Sequence, residues 1–161
     1  MSELPADLAP VLGAIPSGLF IVTAKSASGQ ATGMLASWVQ QAGFDPPSLT
    51  VAVNSKRYLN DWLKASAKMA LNLVGEGQTK FLKHFGRGFE PDQNAFEGIS
   101  IAESRLGLPV LNDAVGYLEG TITAQMEAGD HIVYLLRIEF GDEQLSEVKP
   151  MVHIRKNGFG Y

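Results

Sequence analysis

Between Tyr117 and Phe140 the chain carries two apolar stripes of period two. Leu118, Gly120, Ile122, Ala124 and Met126 face one way. Ile132, Tyr134, Leu136, Ile138 and Phe140 do the same after a turn at residues 127–130. Alternation over so many residues belongs to strands and not to helices. A turn at Gly129-Asp130 between them makes a long antiparallel hairpin. A chain that commits this much of itself to one hairpin must cover it with more strands, because a lone hairpin cannot bury its apolar face.

Further strands are expected on either side. Residues 17–24 (SGLFIVTA) are apolar and rich in β-branched residues. A Ser-Gly turn separates them from a second strand at residues 31–41, where Gly33 suggests a bulge or a close approach. Asp45, Pro46 and Pro47 break the chain. Residues 48–54 then alternate, with Leu49, Val51 and Val53 on one face, and residues 69–74 repeat the pattern through Met69, Leu71 and Leu73. A last strand is expected at residues 151–155.

Three helices are short. The first carries Leu4, Leu8, Leu12 and Ile15 and ends at Pro16. The second is read as opening at Ser55, a good N-cap, with Leu59, Trp62 and Leu63 on one face. The third carries Phe81, Leu82 and Phe85. Residues 86–98 read as a long loop, and a second loop surrounds Pro109. Six or seven strands with a few flanking helices, and no internal repeat or linker, suggest one mainly β domain over residues 1–161, a closed or partly closed antiparallel barrel.

Composition narrows the function. The 161 residues carry a formal net charge of −4, against the clustered cations that nucleic acid requires. There is no cysteine, so disulfides, cysteine-ligated zinc and thiol chemistry are excluded, and a cytoplasmic protein is expected. Residues 1–10 contain Glu3 and Asp7 and no basic region, so no signal peptide is expected. No apolar run is long enough for a membrane-spanning helix. His84, His131 and His153 lack ligand spacing, and no metal site is expected. Neither a dinucleotide fingerprint, nor a Walker loop, nor a nucleophile elbow is present.

Three segments could carry chemistry, each with a plainer alternative. Residues 33–47 (GMLASWVQQAGFDPP) place Gly33, Ala36 and Ser37 where a flat ring could lie against backbone. They also fit a strand edge before a Pro-Pro turn. Residues 53–58 (VNSKRY) join a strand end to a basic helix start, which suits a phosphate or an ordinary cap. Gly129-Asp130-His131 could aim a histidine into a cleft or leave it solvated at a turn.

These segments stand in an order that resembles the flavin reductase-like family. PSGLFIVTA, GMLASWVQQAGFDPP, VAVNSKRY, LNLVGEGQTKFLKHFGRGF and GYLEGTITAQMEAGDHIVYLLRI follow one another over nearly the whole chain. LASWV, LNLVGEG, KHF and HIRKNGFGY are similar, more narrowly, to the C-terminal flavin reductase module of cyanobacterial flavodiiron proteins.

The resemblance implies a split β-barrel, commonly a homodimer, that binds FMN or FAD and reduces it with NADH or NADPH. The same barrel would serve a non-enzymatic electron-transfer module feeding a flavodiiron-type partner. It implies flavin contacts from Leu35, Ala36, Ser37 and Trp38. It also implies phosphate contacts around Asn54, Ser55, Lys56 and Arg57. His84 and Phe85 would lie near the flavin, and His131 near the nicotinamide path. Where many members carry Thr-Ala-Ser-Ser, this chain has Leu35-Ala36-Ser37-Trp38 and loses two hydroxyls. Trp38 either stacks on a ring or packs. No ligand set for a di-iron centre is present.

Overall fold

The computed structural model describes residues 4–161. Met1, Ser2 and Glu3, part of the segment read against a signal peptide, lie outside the described residues. The long hairpin is present as β9 (Gly116–Ala128) and β10 (His131–Glu143), thirteen residues each. Gly129 closes the turn at φ +64°, a backbone region that glycine enters without strain.

The hairpin sits within a seven-stranded antiparallel sheet. Its members are β2 (Phe20–Lys25), β3 (Ala31–Ala36), β4 (Val39–Phe44), β5 (Pro47–Asn54), β6 (Lys68–Leu73), β9 and β10, in the order β3-β2-β6-β9-β10-β5-β4. The two edge strands, β3 and β4, are consecutive in the chain and joined only by Ser37 and Trp38. Two residues span less than ~11 Å even when fully extended. The sheet must therefore curl until its edges meet, and since β3 and β4 do not pair, the barrel stays split there. The mainly β, antiparallel split barrel expected from the sequence is the observed fold.

Inside the curl, Val22, Val51, Val53, Leu71, Tyr134 and Leu136 are fully or almost fully buried. α2 (Leu59–Ser66) closes one side by adding Leu59 and Leu63 to that core. α3 (Thr79–Phe85) lies outside the barrel, where Phe81 and Phe85 pack with Leu19, Ile21, Phe96 and Leu111 in a second core. Gly33 belongs to this packing. A Cβ there would stand 2.8 Å from the Phe85 ring, so the glycine admits a phenylalanine and not a ligand.

Several expected boundaries differ. The strand read over residues 31–41 is two strands, β3 and β4. The strand read from Ser17 is a two-residue piece, β1 (Ser17–Gly18), followed by β2. β1 pairs with β11 (Val152–His153), shorter than the expected 151–155. A small hairpin, β7 (Ile101–Glu103) and β8 (Pro109–Leu111), lies in what the sequence suggested was loop.

Two departures have clear physical reasons. Register shifts between β9 and β10, at Leu135/Leu136 and at Ile138/Phe140, interrupt the period-two pattern. Met126 is consequently turned outward and exposed; Leu118 is exposed too, while Glu119 is buried beneath the β7–β8 hairpin, accepting bonds from the Ser104 hydroxyl and the Leu106 N–H. The first helix, α1 (Leu8–Ala14), does not face the core. Leu8, Val11 and Ile15 point outward, and contact with the rest of the chain runs through Ala9, Leu12 and Gly13. Among the described residues no helix is long and apolar enough to cross a membrane.

Candidate functional site

The gap between β3 and β4 opens into a cavity of about 580 Å³. That volume is within the range of small-molecule and cofactor sites. Leu35, Ala36, Ser37 and Trp38 line it directly, because they are the end of β3 and the two-residue crossing. Ser37 is nearly buried, and the carbonyl of Trp38 accepts from the N–H of Ala52 at 3.0 Å, which ties the crossing to β5. Leu19, Met34 and Leu82 add apolar wall, and Gly86 supplies backbone at the far side.

Polar groups gather at the end of β5. Asn54 and Arg57 both line the cavity. No ion pair among the described residues engages Arg57, so its charge is available to an anion. The expected helix start lies elsewhere. α2 begins at Leu59 with Tyr58 as its N-cap, so Ser55 caps nothing.

The VNSKRY segment is instead a turn stitched shut by its own amides. Ser55 N–H donates to Asp130 O at 2.9 Å, Lys56 N–H to Asn54 Oδ1 at 3.0 Å, and Arg57 N–H to Asn54 O at 3.0 Å. These amides are used, and what the turn offers a ligand is the Arg57 guanidinium and the Asn54 side chain. Ser55 and Lys56 are not among the lining residues.

Asn60 holds this turn to the core, and nothing in the sequence marked it. Its Nδ2 donates to Asn54 O and Arg57 O, both at 2.9 Å, and its Oδ1 accepts from the Tyr134 hydroxyl at 2.7 Å. Burial pushes the Tyr134 phenol above its ordinary pKa, so it remains a donor. On the other side Arg57 leans on Gly88. This residue sits at φ +75°, and a Cβ would come 2.7 Å from the guanidinium.

His84 and Phe85 stand one layer back. The His84 ring bonds the Ala95 carbonyl at 2.9 Å and Phe85 is core, while their neighbours Leu82 and Gly86 reach the cavity. His131 is likewise buried and does not line the cavity. Its Nδ1 pairs with Asp130 Oδ1 at 2.7 Å, and its ring lies 4.7 Å from that of Trp38. The His131 hydrogen bond and charge hold the Asp130 carboxyl below the usual range. Sequence reasoning missed Tyr161 and His153, which line the cavity from the far end of the chain. Distance along the sequence hid them, since the β1–β11 pairing and the bonds from Arg155 and Gly158 to α1 bring that end alongside.

A split barrel with an apolar, ring-sized cavity and one unpaired arginine defines a class of small-cofactor binding domain. A family profile described as "Flavin reductase like domain" matches residues 12–159, and the chain belongs to that family. It is 37% identical over 163 residues to diflavin flavoprotein A 1 of Synechocystis sp., covering all of this chain and 28% of that protein. The chain thus spans little more than a quarter of the curated relatives it matches. Its fold is that of the Streptomyces globisporus NADH:FAD oxidoreductase SgcE6, with a TM-score of 0.83, 24% identity, and coverage of 90% of this chain and 85% of that one. It is also that of the styrene monooxygenase flavin reductase from Pseudomonas putida S12, with a TM-score of 0.79, 20% identity, and coverage of 91% and 92%.

Proposed function

We propose that this domain binds FMN or FAD in the cavity at the β3–β4 gap and reduces it with NADH or NADPH. The observation that carries the reading is the cavity's polarity. Small residues and aliphatic side chains form the floor and walls, and Arg57 with Asn54 stands at one end. A planar ring with a phosphate tail fits that distribution. Flavin, when bound, takes the electron pair from the nicotinamide and passes electrons on.

The chain's own residues bind and orient. Ala36 and Ser37 keep side-chain bulk away from the ring plane, which lets backbone approach it. Arg57 neutralises phosphate, and Asn60 fixes the turn that carries it. Trp38 and His131 stand where a second ring would enter. Among the described residues no buried acid–base pair opens on the cavity, and hydride transfer between stacked rings would need none; it would depend on orientation.

A second reading is an electron-transfer module serving a larger partner, including a flavodiiron-type acceptor. It is favoured by the short share of the diflavin relatives that the chain spans. Both readings share the flavin site. Anaerobic addition of NADH or NADPH to the flavin-loaded protein separates them: bleaching supports the reductase, and bound flavin that neither donor bleaches supports the carrier.

A homodimer is proposed as well. Val11, Ile15, Val152 and Ile154 are all exposed, and such a concentration of uncovered apolar side chains suits an interface. Light scattering on the purified protein tests it. The lack of cysteine suits a reducing compartment, and the cytoplasm is the proposed location.

A further inference from the structure

Tyr161 is 84% exposed, yet its hydroxyl reaches a buried group: it lies 2.7 Å from His131 Nε2. The direction of that bond follows from the other ring nitrogen. Nδ1–H donates to the Asp130 carboxylate, so in the neutral ring Nε2 is the acceptor and the tyrosine O–H donates into it. Although the side chain is largely exposed, desolvation and then repulsion from Asp130 push the Tyr161 phenol above its ordinary pKa. The tyrosine ring lines the cavity beside Trp38, at 5.8 Å between centroids.

The chain that leads to Tyr161 is anchored. Arg155 N–H donates to Gly13 O at 3.0 Å and Gly158 N–H to Ala9 O at 2.8 Å, which fastens the segment along α1. The Arg155 guanidinium stands 5.0 Å from the Trp38 ring. Phe159 N–H donates to Asn157 Oδ1 at 2.9 Å, and the Gly160 carbonyl takes a 3.4 Å bond from Arg155. The mostly exposed Tyr161 side chain can turn away from His131 with this anchor intact.

We propose that the Tyr161 hydroxyl is a built-in competitor for the electron donor, holding the acceptor nitrogen of His131 until an incoming polar ring displaces it. The proposal rests on the reductase reading and names how access to that same site is regulated. His131 Nε2 is the one hydrogen-bonding atom of that residue left to offer a ligand, and Tyr161 covers it. The latch is weak by construction. One bond between a mostly exposed side chain and its partner exchanges with water at little net gain, so a ligand that also buries its ring against Trp38 displaces it.

The test is steady-state NADH and NADPH oxidation with FMN by the full chain and by Tyr161→Phe, which keeps the ring and deletes only the hydroxyl. The donor KM is expected to fall about two- to tenfold, the worth of one such bond. In a His131→Gln background, Tyr161→Phe is expected to leave the donor KM unchanged, because the contested nitrogen is gone. An unchanged or raised KM in Tyr161→Phe alone overturns the latch, as does an equal fall in the His131→Gln background. If the unaltered chain binds flavin but oxidises neither nicotinamide, the reductase reading itself has failed and the latch falls with it.

Discussion

The backbone N–H of Ser55 donates to the carbonyl of Asp130 across 2.9 Å, joining two segments that lie far apart in the sequence. Because His131 also pairs in register with Asn54, the turn bearing Arg57 and the hairpin bearing His131 are one structural unit. Arg57, which lines the cavity, and His131, which stands behind Trp38, are thus tied together. A perturbation of either segment is transmitted to the other.

Asn60 is the pin of that unit, and its removal is costly. Asn60→Ala leaves the buried Tyr134 hydroxyl without its acceptor and takes the side-chain donor from the Asn54 and Arg57 carbonyls, which keep only their backbone donors. Unpaired buried polar groups cost about 1–3 kcal/mol each where water cannot reach them. We expect a loss of about 2–4 kcal/mol in urea unfolding. Flavin affinity should fall at least tenfold, because Arg57 loses its seat. Tyr134→Phe, which removes only the donor, should cost about 1–2 kcal/mol and leave flavin binding nearly intact.

Arg57 and Lys56 are neighbours with different prospects. Arg57 lines the cavity and Lys56 does not. Arg57→Ala should weaken FMN binding at least tenfold, as loss of a charge-assisted contact does. Lys56→Ala should change it less than twofold. Gly88→Ala should act like a partial Arg57 loss, since its Cβ would press on the guanidinium from 2.7 Å at a backbone angle that strains any other residue. Isothermal titration with FMN reads all three.

The pH dependence follows from Asp130. Its carboxyl is held below the ordinary value of 3.8, chiefly by the hydrogen bond from His131 and then by that ring's charge. A depressed acid contributes stability above its unfolded pKa and loses it as pH falls through the folded one. The stability gap between the native chain and Asp130→Asn should therefore be full above about pH 4 and should close below it. Thermal melts from pH 3 to 7 check this. A gap that persists unchanged to pH 3 contradicts the assigned pairing.

The barrel was legible because period-two alternation is a direct trace of one buried face, and it held for β5 and the first half of β10, whereas β6 is buried on both faces. It failed where the ladder shifts register, which no spacing of apolar residues announces. The break between β3 and β4 was invisible for a related reason. Trp38 and Val39 are both good strand residues, and no glycine or proline marks the crossing. Ser55 had the chemistry of a helix cap, but Asn54 satisfies the local amides first, and the cap falls three residues later, at Tyr58. Ala36, Ser37, Asn54 and Arg57 were read from short contiguous motifs. Asn60, His153 and Tyr161 were not, since each acts through tertiary contacts that bring distant segments together.

The central claim is that flavin binds in the cavity that Trp38 lines. The chain has two tryptophans, and the other, Trp62, packs edge-on against Tyr58 at 5.2 Å, outside the cavity lining. In Trp62→Phe protein all tryptophan emission comes from Trp38. Titration with FMN should quench that emission in step with flavin binding and saturate at one flavin per chain. Flavin that binds while Trp38 emission stays constant would place the cofactor elsewhere and contradict the account.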